Sequence, residues 1–405
     1  MKTKINQSTG ISKSSWKTKK FKFKDKTLYV GTVFSGIGAL EHALKLLKIN
    51  HKIQFAGDID PHVKKTYFNN YLIDETRWHS DINKFNAKKY VGKIDLLMGG
   101  SPCQSFSMVG KRKGLDDSRG SLIYQFIRIV DECKPKVFIF ENVKGILSHD
   151  NGNTWELIKS EFIKLGYSNL YPMVLNAKDY GIPQNRERVF IVGFKNKQKK
   201  IFVPKPIQLQ LTMQTLLTDD IHSIDKRHYL KSKGVKFVTS SKNRLKRYTQ
   251  INGNIALCQK ANQQSNWHGD FIFEHVEDHL EFDEFIFNVE EIEEKYFLSD
   301  KVKKYVLAGG TKNYKTGIST DLKIARPLLQ TMHKMHRAGV DNYITYSKGR
   351  IRKLTPDECL RLMGFKKLKT DGVSDTQLYR QAGNSIVVDV IIAILKEMDI
   401  TQYGR

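Results

Sequence analysis

The sequence is short of cysteine and of acidic residues, and it has no long apolar run. Its four cysteines, Cys103, Cys133, Cys258 and Cys359, are scattered with no CxxC pair. That spacing excludes a disulfide framework and a thiolate zinc site. Each cysteine is then a small core residue or a reactive thiol, in a reduced, cytoplasmic setting. No apolar stretch approaches the roughly 20 residues of a membrane span, and no apolar core follows the basic N-terminus as it would in a secretory signal. Asp and Glu number 42 against 68 Lys and Arg, a formal charge of +26. Such an imbalance says little about fold. It points to a polyanionic partner, with a solvated lysine-rich surface as the bland alternative.

What is present suffices for a real core: 40% of the 405 residues are hydrophobic and 11% aromatic. The length predicts one large domain with a smaller one. Residues 1–26, rich in Lys, Ser, Thr and Asn, are expected to form a mobile basic arm, either touching phosphates loosely or inert. From Leu28 the texture changes. LYVGTVFSG, IQFAGDID, KIDLLMGG, KVFIFEN, YPMVLNA and RVFIVGF read as strands. ALEHALKLL, DPHVKKTYFNNY, SLIYQFIRIVDEC and NTWELIKSEFIKLG between them carry helical spacing. This alternation predicts an α/β fold with a doubly wound, mostly parallel sheet over 27–194. The pattern fades over 195–345, where a smaller, irregular second domain is expected. Order returns over 346–405, with a helix starting at Thr355-Pro356 and a final helix over Ser385–Met398.

Four motifs carry chemistry. In VFSGIGALE, Gly36 and Gly38 follow a strand and open a helix, so backbone amides can approach a ligand. The dinucleotide fingerprint wants a third glycine where Glu41 stands. The next strand ends in GDID, placing Asp58 where a carboxylate can hold ribose hydroxyls, and Ser80–Ile82 can edge an adenine. Helix capping is the competing role for Asp58 and, more strongly, for Asp60. In GGSPCQSFS, Cys103 follows a proline at a strand's carboxyl end, and nearby amides can lower its pKa. In FIFENVKGIL, Glu141 ends an apolar strand, and partial desolvation would raise its pKa toward that of a proton donor. In PQNRERVFIVG, Gln184, Arg186 and Arg188 alternate before a strand and can point into one cleft. A salt bridge of an arginine with Glu187 or Glu141 is the alternative.

The ordered motifs FSGIGA, GGSPCQSFS, RGSLIYQFIRIV, ENVKGIL, QNRERVFIVGF, RKLTPDECLRLMGF and QAGNSIVV resemble those of the cytosine-5 DNA methyltransferases of bacterial and phage restriction–modification systems. They span Leu28 to about Phe194 and Ile351 to Ile394. The resemblance implies a fold of the S-adenosylmethionine-dependent methyltransferase type and that cofactor, with S-adenosylhomocysteine as product. It implies Cys103 as nucleophile on carbon 6 of a flipped cytosine, Glu141 at ring nitrogen 3 and Arg188 at the carbonyl oxygen, with Arg186 beside it in the catalytic set. Around the cofactor it implies Phe34, Gly36, Gly38, Asp58, Asp81, Ile82, Pro102, Leu122, Asn384 and Ser385. Lys111–Asp117 resemble the family's mobile loop over the flipped base, and Gln104, Ser107, Lys111 and Arg112 are the implied DNA contacts there.

Two departures stand out. Ser101 precedes Pro102 where many members carry phenylalanine, though others have small residues. Asp58 stands where glutamate is usual, and its shorter reach either weakens cofactor binding or is absorbed by a shift of the turn. Residues 195–345 take the place of the family's target-recognition domain. Arg244, Arg247, Gln259, Gln263, Gln264, His333, His336 and Arg337 are candidate readers of bases or phosphates, and no spacing among them supports a metal site. The implied partner is double-stranded DNA rather than a membrane, approached by a monomer. A cognate restriction endonuclease is compatible, without a stable complex. The rival readings are a transfer-RNA cytosine methyltransferase, a non-catalytic DNA-binding descendant and a nicotinamide oxidoreductase. The second should have lost Cys103 or Glu141, and the third has no account of PCQ, ENV or QxRxR.

Overall fold

The computed structural model describes residues 16–102, 122–195, 203–216, 249–251, 269–271, 298–307, 310–311, 314–315, 320, 322–333, 340–346, 350–353 and 355–405. The chain forms two compact units. The first comprises Met1–Gly181, Glu187–Gln208 and Ile386–Arg405, and the second Ile182–Arg186 and Leu209–Ser385.

The first unit is built on six strands, β1 (Leu28–Val33), β2 (His51–Phe55), β3 (Leu96–Gly99), β4 (Val137–Asn142), β5 (Asn169–Asn176) and β6 (Glu187–Phe194), in the order β2-β1-β3-β4-β6-β5. β1 pairs in parallel with β2 and β3, and β3 with β4, while β6 runs antiparallel to both β4 and β5. The inner strands coincide with apolar runs in the sequence, because a strand covered on both faces needs no polar side, while the edge strands β2 and β5 overlap their runs and keep exposed positions. Every residue of β4 is buried. The doubly wound, mostly parallel architecture expected from the sequence is the one adopted.

Helices α1 (Ala39–Leu46), α2 (Pro61–Asn70), α3 (Leu122–Cys133) and α4 (Asn153–Lys164) follow the strands. Phe126 of α3 and Phe162 of α4 pack with Phe138 and Phe140 of β4 in one cluster. Full burial of each such ring contributes about 1.5–3 kcal/mol. The C-terminal helix Val388–Glu397 returns to pack on α1.

Three expectations change. The described part of the N-terminal arm is docked rather than mobile. Trp16 is 4% exposed beside Tyr180, with ring centroids 6.3 Å apart. Lys19 Nζ reaches the Glu397 carboxylate at 3.3 Å, and the Lys22 N–H donates to Asp399 Oδ1. Secondly, the return to the first unit starts at Ile386, so residues 346–385 count with the second. Thirdly, Asp375–Glu397 is by length and apolarity long enough to cross a membrane, although 72% of its apolar window is buried within the fold, as in core helices. It is broken between Asn384 and Val388.

The described parts of the second unit are short. Helices α5 (Asp300–Leu307), α6 (Pro356–Leu362) and α7 (Asp375–Asn384) accompany two-stranded pairings, among them the antiparallel Tyr343–Tyr346 with Arg350–Lys353. α6 starts where Thr355-Pro356 predicts. A full capping box joins Thr355 and Glu358, each side chain holding the other's backbone N–H.

Candidate active site

Four turns at the carboxyl edge of the parallel strands carry the site of the first unit, where ligands bind in open α/β sheets. After β1 the chain turns through Phe34 (φ 52°), Gly36 (φ 53°) and Gly38 (φ 80°). A phenylalanine held in the left-handed region is strained. Gly38 caps α1, and a Cβ there would meet the Tyr71 ring, whose hydroxyl donates to the Gly38 carbonyl at 2.9 Å.

After β2 comes Asp58. Its Oδ2 accepts the Gly36 N–H at 3.0 Å and its Oδ1 the Asp60 N–H at 3.1 Å, tying the first two turns together. Burial pushes the Asp58 carboxyl above the ordinary aspartate range, against these bonds. Asp60 caps α2, accepting the His62 N–H at 2.8 Å, as capping chemistry predicts.

Between these turns lies a shallow, open cleft lined by Phe34, Asp58, Ile59, Ser80, Ile82 and Phe85 with Thr32 and His79. The side chains present fit an adenosine-bearing group. Each Asp58 oxygen keeps a lone pair for a diol, and Phe34, Ile59, Ile82 and Phe85 supply apolar lining. Ile59 stands exposed at the rim, 81% accessible. Asp81 does not line the cleft; its carboxylate accepts from the Asn83 N–H and side-chain amide. Gly38 likewise stands back from it, while Gly36 meets it through Asp58.

The second half of the site lies where β3 and β4 end. Gly100 leads from β3 to Ser101 and Pro102, and a Cβ on Gly100 would crowd Glu141 Oε2 at 2.7 Å. Asn142 Nδ2 donates to the Ser101 carbonyl at 3.0 Å, clamping the turn that runs into Pro102. Glu141 is not left uncompensated: Arg188 Nε stands 3.2 Å from its Oε1, with side chains 22% and 12% exposed. Arg188 also donates to the Glu187 carbonyl at 2.8 Å. Leu122, half-buried, opens α3.

Arg186 and Gln184 require a correction. Alternation predicted that both would face one cleft with Arg188, but they are committed inside the second unit. Arg186, 4% exposed, donates to the carbonyls of Leu328 (3.2 Å), Gly383 (3.0 Å) and Ser385 (2.9 Å). Gln184 donates to the Leu362 carbonyl at 2.9 Å and accepts the Leu328 N–H at 3.0 Å. The reason is that an extended segment fixes direction only, while buried carbonyls demand donors. Asn384 and Ser385 also lie in the second unit, Asn384 Nδ2 donating to Gln330 Oε1 at 3.3 Å. His333 Nδ1 lies 2.8 Å from the Gln330 carbonyl.

Cys103, Gln104, Ser107, Lys111, Arg112, Arg244, Arg247, Gln259, Gln263, Gln264, His336 and Arg337 lie outside the described residues. Three neighbours of the cleft went unread in the sequence. Ile59 carried the one available signal, an apolar residue between two aspartates beyond a strand. His79 and Phe85, stacked at 3.9 Å, carried none.

The mostly parallel sheet, with its cleft at the carboxyl ends of β1 and β2, defines a protein of the doubly wound α/β class. The chain matches the family of C-5 cytosine-specific DNA methylases over residues 29–399 and belongs to it. It is 30% identical to the orphan methyltransferase M.SPRI of Bacillus phage SPR, covering 93% of this chain and 99% of that one. It is also 30% identical to the type II methyltransferase M.HhaI of Haemophilus parahaemolyticus, covering 89% and 90%. Among solved structures it is similar to the S. pombe Dnmt2 methyltransferase (TM-score 0.58, 16% identity, 92% of this chain and 98% of that one). At that identity the likeness shows the fold. The chain transfers methyl groups to carbon 5 of cytosine in DNA, and its family and fold are S-adenosylmethionine-dependent.

Proposed function

We propose that the chain methylates one cytosine within a short specific sequence of double-stranded DNA, through a covalent Cys103 adduct on a base swung out of the helix. The observation that carries this reading is the Glu141–Arg188 pair, 3.2 Å apart, against the Gly100–Pro102 turn that bonds directly to Cys103. Carbon 6 of a stacked cytosine is covered, so the base must flip, at a cost of a few kcal/mol. The Cys103 thiolate then forms a bond to carbon 6 and drives electron density to carbon 5. Glu141 holds the proton at ring nitrogen 3, and Arg188 donates to the carbonyl oxygen. Carbon 5 takes the methyl group and loses its proton as the sulfur–carbon bond breaks. S-adenosylmethionine, when bound, supplies that methyl group.

In the cleft Asp58 would hold the ribose hydroxyls, with Ile59, Ile82 and Phe85 along the adenine. Asp81, outside the lining of the cleft, would serve the adenine only through the turn it holds by accepting from Asn83. Phe34, Gly36, Pro102, Leu122, Asn384 and Ser385 complete the proposed set, with Gly38 supporting the turn behind the cleft. Arg186 joins the reading as a brace of the second unit. A charge of +26 supports a duplex partner held through its phosphates, with Arg244, Arg247 and Arg337 among its readers and Gln104, Ser107, Lys111 and Arg112 near the base. The bacterial and phage relatives support an enzyme acting in the cytoplasm of a bacterial or phage-infected cell, and the reading has it act as a monomer without a stable endonuclease complex.

The test is methyl transfer from labelled S-adenosylmethionine to mixed-sequence duplex DNA, with bisulfite sequencing of the product, for wild type and Cys103→Ser. Methylcytosine in one recurring context, absent with the variant, is expected. Equal transfer by the variant refutes the adduct. No transfer to DNA by a folded, cofactor-binding chain points to transfer RNA instead.

A further inference from the structure

We propose that Glu41 is a positioning residue for the cofactor cleft, its buried carboxyl group fixing the two turns that wall the cleft through a relay over Thr32 and Ser35. The inference rests on the reading of that cleft as the cofactor's. Glu41 lies on α1, 1% exposed, where a helix facing solvent would carry a hydrated carboxylate. Its Oε1 accepts from the Thr32 hydroxyl at 2.9 Å and from the Tyr67 hydroxyl at 2.7 Å. Thr32 Oγ1 accepts in turn from the Ser35 hydroxyl at 2.8 Å, and Ser35 Oγ accepts the Gly57 N–H at 2.9 Å.

With Glu41 ionised and so an acceptor only, the links run in one direction. A backbone N–H at one end can only donate, and each hydroxyl has one proton to pass on. The Ser35 N–H also donates to the Gly57 carbonyl at 2.9 Å. Ser35 thus grips the β2 turn at two points, one residue before Asp58. Rotating either hydroxyl breaks the series, so the orientation of Ser35 depends on an acceptor at position 41. That acceptor is costly: burial raises the Glu41 carboxyl above the ordinary glutamate range, and its Oε2 has no hydrogen-bond partner among the described residues. An apolar residue would pack there without that penalty. It would not orient the relay.

The experiment is calorimetric binding of S-adenosylhomocysteine, with thermal unfolding of the ligand-free chain alongside. Glu41→Gln keeps the acceptor oxygen and is expected to bind within about twofold of wild type. Glu41→Leu removes the link to Thr32 and Ser35→Ala the two links that the Ser35 hydroxyl makes, and each should weaken binding about tenfold or more, the scale of one hydrogen bond. Their double variant should be no weaker than either alone, because both cut one relay. The cofactor KM should follow, with kcat at saturation kept. If Glu41→Leu does not fold, Thr32→Val severs the same relay and takes its place. Unchanged binding in these variants, or losses that multiply in the double one, overturns the proposal. A wild-type chain that binds no S-adenosylhomocysteine refutes instead the cleft assignment on which it rests.

Discussion

Gly38 and Gly36 stand two residues apart in one turn, and alanine at each should have very different consequences. At Gly38 (φ 80°) the new methyl would lie 2.8 Å from Tyr71 Cζ and closer still to Cε2. Tyr71 cannot simply swing aside. Its ring packs on Tyr67 at 4.9 Å within a buried cluster that includes Trp78. The left-handed backbone costs alanine about 1 kcal/mol, the forced repacking about 2, and the broken Tyr71–Gly38 hydrogen bond about 1. The sum, about 4 kcal/mol, is a large share of a typical domain's 5–15. At Gly36 (φ 53°) no atom lies within 4 Å of the added methyl, so only the backbone cost of about 1 kcal/mol applies. Urea unfolding followed by circular dichroism compares them. Gly38→Ala should lower the midpoint several times as much as Gly36→Ala. Removing the obstacle with Tyr71→Leu should recover part of the Gly38→Ala loss. Equal midpoints for the two alanine variants, or no recovery, would refute this account of the turn.

Further expectations follow from the same structure. Asn142→Ala releases the Ser101 carbonyl and frees the turn before Cys103, and a misplacement of about 1 Å can cost about 10²-fold in turnover. Single-turnover rates should fall while cofactor affinity holds, and a parallel loss of affinity would sink the idea. Arg186→Ala strips the donors from three carbonyls, each worth about 1–3 kcal/mol when stranded, so the unfolding midpoint should drop sharply. Lysine lacks the guanidinium fork and should not restore it; an Arg186→Lys chain with native stability and no activity would mark Arg186 as catalytic instead. His79 is held neutral down to about pH 4, first by burial and then by Lys89. Between the ordinary imidazole value of 6.5 and that point, the unfolded chain binds the proton and the folded one does not, so stability falls as pH drops through this window. His79→Asn should flatten that acid limb in unfolding midpoints measured from pH 7 to 4, and an unchanged limb would show that other groups produce it.

The strands were legible because a sheet covered on both faces writes itself as unbroken apolar runs: Val137–Phe140 of β4 leave no polar residue to hide. Helix α7 was not. Asp375–Asn384 bury Leu378, Tyr379 and Ala382 among seven polar or small residues, too sparse a stripe for periodicity to show. The docking of the N-terminal segment hangs on Trp16, whose partner Tyr180 lies 164 positions on, within no window that pattern reasoning uses.

The site divides along the same line. Glu141, Arg188 and Asp58 could be proposed from motifs because their chemistry belongs to their side chains, and the structure pairs the first two and sets the third in the cleft wall. Arg186 shares spacing and type with Arg188, yet its role is decided by carbonyls 142 to 199 residues away, and a carbonyl has no residue type to announce it. Glu41 is the sharper case. A glutamate in the first turn of a helix reads as solvent-facing and favourable to the dipole. Only the hydroxyl of Tyr67, 26 positions on, and that of Thr32 on the preceding strand turn it into the end of a relay. Apolar patterning thus predicts which residues are buried when burial is their whole purpose. A buried polar residue is defined by a partner that the fold must first bring to it, so residues that position a site stay hidden longer than those that react in it.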